Sequence, residues 1–382
     1  GMGQPPAGSP PGGGARPGPP RGYTPNAPSD AVMVLPNRLR DTGQVTCFDT
    51  NTPVRCPTEG APFFGQDAQY TTQVPPLHDN GDGTVSDPAT GLLWQQGHDG
   101  RRLSFTQARD MCAGLTLGGR SDWRLPTIKE LFSVSHWQGA TGHRAFVDER
   151  TFDIAPPTDA QMSADRTPTH SPEMMGQTWT TTLYQGDHWD RRGVQAAFFF
   201  NALDGRIKQA PIHGPVGLFA RCVNGPEWGA NQFRDNGDGT VFDGLTGLTW
   251  QQADDGRTRD WPAALAYCEG LTLAGYHDWR LPNVKELESI VDYSRPQPAI
   301  DTRVFVQRDP AAWFWSSTTH GDDPRFAAYV CFGKCVSVEG VDVHGAGAQR
   351  SDPKVGDPSR FGPRGGQHDA TRIQNAVRCV RG

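Results

Sequence analysis

One feature constrains this chain more than any other: it contains the same unit twice. "DNGDGTVSDPATGLLWQQ" from Asp79 returns as "DNGDGTVFDGLTGLTWQQ" from Asp235. "ARDMCAGLTLGGRSDWRLPTIKEL" from Ala108 returns as "ALAYCEGLTLAGYHDWRLPNVKEL" from Ala264. The register holds at 156 residues, from Asp79 to Asp235 and from Trp123 to Trp279. A fixed period through Trp, Cys, Gly and Pro marks one supersecondary unit used twice. The unit ends keep their signature at other spacings. "WTTT" from Trp179 matches "WSST" from Trp315, and "ARCV" from Ala220 matches "VRCV" from Val377. Extra residues are expected near 139–176 in the first copy and near 340–369 in the second, as surface loops. The reading is two tandem domains, 77–224 and 233–381, after a Pro/Gly-rich tail (1–30) and an extension (31–76). The tail is too polar to fold alone, and Gly does not recur at every third position as collagen requires.

The repeat also organises the eight cysteines. Each copy has an early and a late Cys, which pairs Cys112 with Cys222 and Cys268 with Cys379. Cys331 and Cys335 lie in the second copy only and are placed to pair locally, as are Cys47 and Cys56 in the extension. Complete sets of cysteines point to an oxidising compartment. The rival is zinc, which usually needs four clustered Cys or His ligands. The net charge of −6 gives no basic excess for nucleic acid or an anionic membrane. No apolar run approaches the ~20 residues that span a bilayer. No export signal is visible. Gly1 ahead of Met2 resembles a cloning scar, so an export signal and a tether to the membrane are expected in a longer precursor.

Local patterns place the elements. "SFTQARDMCAGL" and "DWPAALAYCEGL" have helical apolar spacing, with Gly114 and Gly270 as stops. Thr127 with Glu130, and Asn283 with Glu286, read as capping boxes opening a second helix. The preceding Asp-Trp-Arg clusters (Asp122 to Arg124, Asp278 to Arg280) read as structural staples, since buried Arg and Asp usually pair. "AAFFFNALDGRIK" and "AAYVCFGKCVSV" read as hairpins turning at Asp204–Gly205 and Gly333–Lys334. The unit is therefore α+β: a β-meander, two helices, then a small antiparallel sheet. "DNGDGTV" also invites a calcium reading. With Gly83 or Gly239 at loop position 6, however, positions 1 and 12 fall on His78 and Ala89, or on Arg234 and Leu245. An EF-hand-type loop needs oxygen ligands there, so the motif reads as a hairpin turn.

Taken together, "DNGDGTVxDxxTGLxWQ", the Cys-bearing helix, "DWRLPxxKEL", "W[ST][ST]T" and the final "RCV" resemble the Legionella collagen-like protein C-terminal domain family. The likeness covers both units. It implies a bacterial, extracytoplasmic protein with two C-type-lectin-like domains and the two long disulfides. The founding member is linked to adhesion to sulfated glycosaminoglycans. The resemblance supplies no catalytic residues, metal or cofactor.

The expected function is therefore binding or adhesion, with a sulfated or other polysaccharide or an envelope protein as partner. Loops on a rigid scaffold usually carry such a role. The candidate surface lies between "W[ST][ST]T" and "RCV". It comprises Tyr184, His188, Trp189, Arg191 and Arg192 in the first copy, and His320, Asp322, Arg325 and Tyr329 in the second. Aromatic rings stack on sugar faces, and Arg forks hold sulfates. Calcium-dependent sugar binding is not expected: "QPA" at Gln297 and "HWD" at His188 lack the lectin carboxylate and Asn. Two alternatives remain. One is a formylglycine-generating-enzyme-like oxidoreductase using Cys331 and Cys335. The other is a structural envelope-assembly module.

Overall fold

The computed structural model describes residues 33–35, 39–98, 100–154 and 176–382. The Pro/Gly-rich tail and residues 155–175 of the expected first-copy insertion lie outside the described residues.

The first repeat opens with a meander of β1 (His78–Asp79), β2 (Thr84–Asp87) and β3 (Leu92–Gln95). Asp79 and Asp82 spend their carboxylates on their own turn: Asp79 accepts from the Gly81 N–H at 2.9 Å, and Asp82 from the Thr84 N–H at 3.0 Å. Gly81 and Gly83 take positive φ, 75° and 87°, which a tight turn demands of glycine. Asp235 and Asp238 repeat the pattern on Gly237 and Thr240. The helices follow, α1 (Phe105–Ala113) and α2 (Ile128–Ser133). Then come β4 (Gln177–Leu183), β5 (Ala196–Asn201), β6 (Arg206–Pro211) and β7 (Val223–Asn224).

The second repeat has the meander β8 (Phe233–Asp235), β9 (Thr240–Asp243) and β10 (Leu248–Gln251). Helices α3 (Trp261–Glu269) and α4 (Val284–Ser289) follow, then β11 (Trp313–Thr319), β12 (Phe326–Cys331), β13 (Gln349–Pro353) and β14 (Val380–Arg381). In each repeat the last strand pairs back onto the meander, β7 on β3 and β14 on β10. All four expected cysteine pairs are bonded, the two long ones closing loops of 110 and 111 residues.

Both capping boxes form, on Thr127–Glu130 and Asn283–Glu286. The Asp-Trp-Arg clusters act as staples. Arg280 holds Glu286 through two bonds of 2.7 Å, and Arg124 holds Glu130 at 2.7 and 2.6 Å. The Arg of each "RCV" is buried and collects loop carbonyls, Arg221 from Gln95 and Gln96, Arg378 from Gln251 and Gln252. Buried carbonyls need such partners.

Two findings depart from the sequence reading. The hairpin expected to turn at Gly333–Lys334 does not form. β12 pairs instead with β13, and the Cys331–Cys335 bond starts a long connection over 332–348. β13, which lies within the expected second-copy insertion, is the counterpart of β6. In addition, the closing sheets of the two repeats are one sheet. Its six strands run β11-β12-β13-β6-β5-β4, joined across the repeats where Ile207 of β6 faces Gln349 of β13. One buried apolar cluster spans both repeats, from Trp94, Phe132, Phe198 and Ile207 to Trp250, Leu287, Phe314 and Tyr329.

Helices α2 and α4 meet at the centre of this body. Lys129 donates to the Ser289 carbonyl at the end of α4 (2.9 Å), and Lys285 donates to the Ser135 carbonyl just beyond α2 (3.2 Å). Each motif lysine thus places its amine where the other repeat's helix carries its negative end. The pattern is a pseudo-two-fold axis.

Candidate binding site at the junction of the repeats

The expected residues of the first copy converge where the two repeats join. β4 delivers Tyr184 to a short turn, His188–Asp190. Trp189 and Asp190 adopt positive φ, 57° and 55°. Non-glycine residues rarely do so, and the surroundings must hold them there. Asp342, in the second repeat's 332–348 connection, is what holds them. Its carbonyl accepts from the Trp189 N–H at 3.0 Å, and its own N–H donates to Asp190 at 3.0 Å. Its carboxylate accepts from the Tyr184 hydroxyl (2.5 Å), the Cys335 N–H (3.1 Å) and the Gly345 N–H (3.0 Å). Cys335 is tied to β12 by its disulfide, so the clamp is anchored in the sheet. Desolvation and the nearby Asp342 charge hold the Tyr184 hydroxyl well above its usual range, so it serves as a donor.

Beside this turn lies a cavity of about 210 Å³. Arg102, His188, Trp189, Lys208, Gln209 and His344 are among its lining residues. His188 is buried, and its Nδ1 lies 2.9 Å from Gln209 Oε1. Gln209 Nε2 is buried without a partner among the described residues. Trp189 is half-buried at the mouth, with the exposed Arg191 guanidinium 5.7 Å from its ring centre. Arg192 is exposed on the same turn. Behind the cavity Asp369 bridges His344 (2.5 Å) and Arg350 (2.6 Å). Burial would raise the Asp369 carboxyl, but Arg350 and His344 overcome it and hold it well below the carboxylate range. Burial, aided by Arg350, lowers His344 to about 4, so it is neutral at pH 7. Burial lowers Lys208 to about 8, against the pull of Asp204 at 3.7 Å. Lys208 is therefore still mostly charged at pH 7.

The second copy's expected residues do not assemble this way. Tyr329 is core, stacked on Trp313 with centroids 4.6 Å apart. His320 is buried against Trp137 and Phe146, and its Nε2 lies 2.9 Å from the Asp204 carbonyl. Burial, with Arg206 adding to it, lowers His320 to about 4. Asp322 accepts from the Thr141 N–H (2.7 Å) and Arg206 (3.3 Å). Arg325 is exposed and pairs with its neighbour Asp323 at 2.7 Å. Cys331 and Cys335 are buried and bonded to each other, which gives the pair a structural role at Asp342. Sequence reasoning missed Asp342, Lys208, Gln209 and His344. For Asp342 and His344 the available signal was the polar residues of an insertion present in one copy only; Lys208 and Gln209 lie in β6 and carried none.

The family model for the Lcl C-terminal domain matches residues 83–223 and again 239–349. The two matches cover well over half of the chain, so the chain belongs to the Lcl C-terminal domain family, with two copies in tandem. No curated protein and no solved structure matches it. Four disulfides fit an extracytoplasmic protein. Among the described residues no helix is long and apolar enough to cross a membrane.

Proposed function

We propose that the chain is an extracytoplasmic bacterial binding or adhesion protein that recognises a sulfated or other anionic polysaccharide at the junction cavity, without calcium. The two repeats are read as C-type-lectin-like units joined edge to edge through the shared sheet. The observation that carries the reading is the pairing of a half-buried Trp189 at the mouth with the charged Lys208 inside. An indole face suits the apolar face of a sugar ring. A partly desolvated ammonium suits a sulfate or carboxylate, because a charge-assisted bond in a shielded site is stronger than one in water. Clamping of the Trp189 turn by Asp342 lowers the ordering cost of binding. The test is a titration of the protein with a sulfated polysaccharide and its desulfated form, each with and without a chelator. Saturable, sulfate-dependent, chelator-insensitive binding that Lys208→Met weakens is the expected result. Equal binding of both polymers, or none, would refute the reading.

A further inference from the structure

The pseudo-two-fold axis creates two counterpart clefts, and the chain fills one with its own backbone. In front of β11 and α4, the extension runs in as an extended segment. Thr42 accepts from the Trp137 N–H at 2.7 Å. Gln44 Nε2 donates to the carbonyls of Trp137 (3.1 Å) and Thr319 (2.8 Å). Lys285 donates to the Asp41 carbonyl at 3.2 Å. The Thr318 hydroxyl accepts from the Val284 N–H (3.0 Å) and donates a hydrogen bond to the Asp67 side chain (2.6 Å).

The counterpart lies in front of β4 and α2 as an open cleft of about 510 Å³, within the ~300–1,000 Å³ usual for ligand sites. Its groups match one by one. Thr182 stands for Thr318 and accepts from the Ile128 N–H at 2.9 Å. Lys129 stands for Lys285 and donates to the Gly229 carbonyl at 3.2 Å. Tyr293 stands for Trp137. The inter-repeat linker therefore supplies only the Asp41 part of the pattern, through Gly229. Beyond it, the Tyr293 N–H and the Thr182 hydroxyl proton meet no acceptor among the described residues. Trp228 of the linker forms one wall. Where Gly43 must pass so close to His136 that an added Cβ would lie 2.3 Å from its ring, this cleft presents the smaller Asp292.

We propose that the cleft is a peptide-docking site. It takes an extended segment of a partner protein, with a main-chain carbonyl on the Tyr293 N–H and an acidic side chain on the Thr182 hydroxyl. The chain's own extension shows the mode of seating, and main-chain bonding of this kind is a recurring way to hold extended peptides.

The probe is a capped peptide of residues 39–69 with its Cys47–Cys56 bond formed, which carries both the Thr42 carbonyl and the Asp67 side chain, titrated into the full chain while tryptophan fluorescence and backbone amide shifts are read. Saturable binding that perturbs Trp228 and Tyr293 is expected. Thr182→Val should weaken it about tenfold or more, the worth of one hydrogen bond to a charged group. Thr182→Ser should restore it, and Trp189→Ala should leave it unchanged. That last arm separates this site from the glycan reading, on which it does not depend. No saturation at millimolar peptide, or equal binding by Thr182→Val, would overturn the proposal. So would a free sugar occupying the cleft in place of the peptide.

Discussion

Tyr184 and His320 end equivalent strands, five residues after Trp179 and Trp315, and they have had different fates. Both reach across the axis to the other repeat, Tyr184 to Asp342 and His320 to the Asp204 carbonyl. After His320 the chain turns back at once into β12, and Arg325 only meets Asp323. After Tyr184 it makes the longer excursion that carries Trp189. The second repeat's 332–348 connection, besides bonding its own strands, reaches over that excursion through Asp342. Duplication gave a symmetric scaffold, and unequal loops from both copies made one asymmetric site on it.

The comparison can be tested through stability first. Replacing either long disulfide by an Ala pair should cost about 4–5 kcal/mol, since both close loops of about 110 residues. Urea midpoints that differ widely between the two pairs would break the symmetry argument. The arginine staples should differ. Arg280 is 2% exposed with Glu286 at 2%, whereas Arg124 is 32% exposed. Arg280→Met strands a buried carboxylate and should cost about 3–5 kcal/mol. Arg124→Met should cost less, because the partly exposed Arg124 gives up less burial and the Trp228 N–H still donates to the buried Glu130. Binding effects come next. Lys208→Met should weaken binding of a sulfated polysaccharide by about 1.5–3 kcal/mol, while Arg325→Ala should stay within ~0.5 kcal/mol. The smallest effect is on pH dependence. Burial lowers Lys208 to about 8, so its charge, and with it the affinity, falls as pH rises through that value. Lys208→Arg should flatten the profile between pH 7 and 9, as read by titrations at fixed ionic strength.

Much of the scaffold was legible because its signals are local or duplicated. The capping boxes at Thr127 and Asn283, the Asp-Gly turns and the matched cysteines are each written within a few residues or written twice. The shared sheet was not legible. It hangs on Ile207 meeting Gln349, a non-local contact that no periodicity announces. The misplaced hairpin has a similar cause: Gly333–Lys334 has turn chemistry, but the Cys331–Cys335 bond diverts the chain before a strand can return. At the site, an aromatic residue beside arginines marked Trp189 and Arg191. Lys208 was hidden in an ordinary strand pattern, "RIKQ". Tyr329 misled because a tyrosine next to a variable loop reads as surface, whereas alternation along β12 turns it onto Trp313.

The central claim is that one binding site is built from both repeats. A double-mutant cycle on Trp189→Ala and Asp342→Ala, read as affinity for a sulfated polysaccharide, tests it most directly. If the Asp342 carboxylate, through Tyr184, Cys335 and Gly345, fixes the main-chain groups that hold the Trp189 turn, each single change weakens binding, and the double variant is no weaker than the poorer single, a coupling of about 1 kcal/mol or more. Full affinity in Asp342→Ala, or losses that simply add, would contradict it.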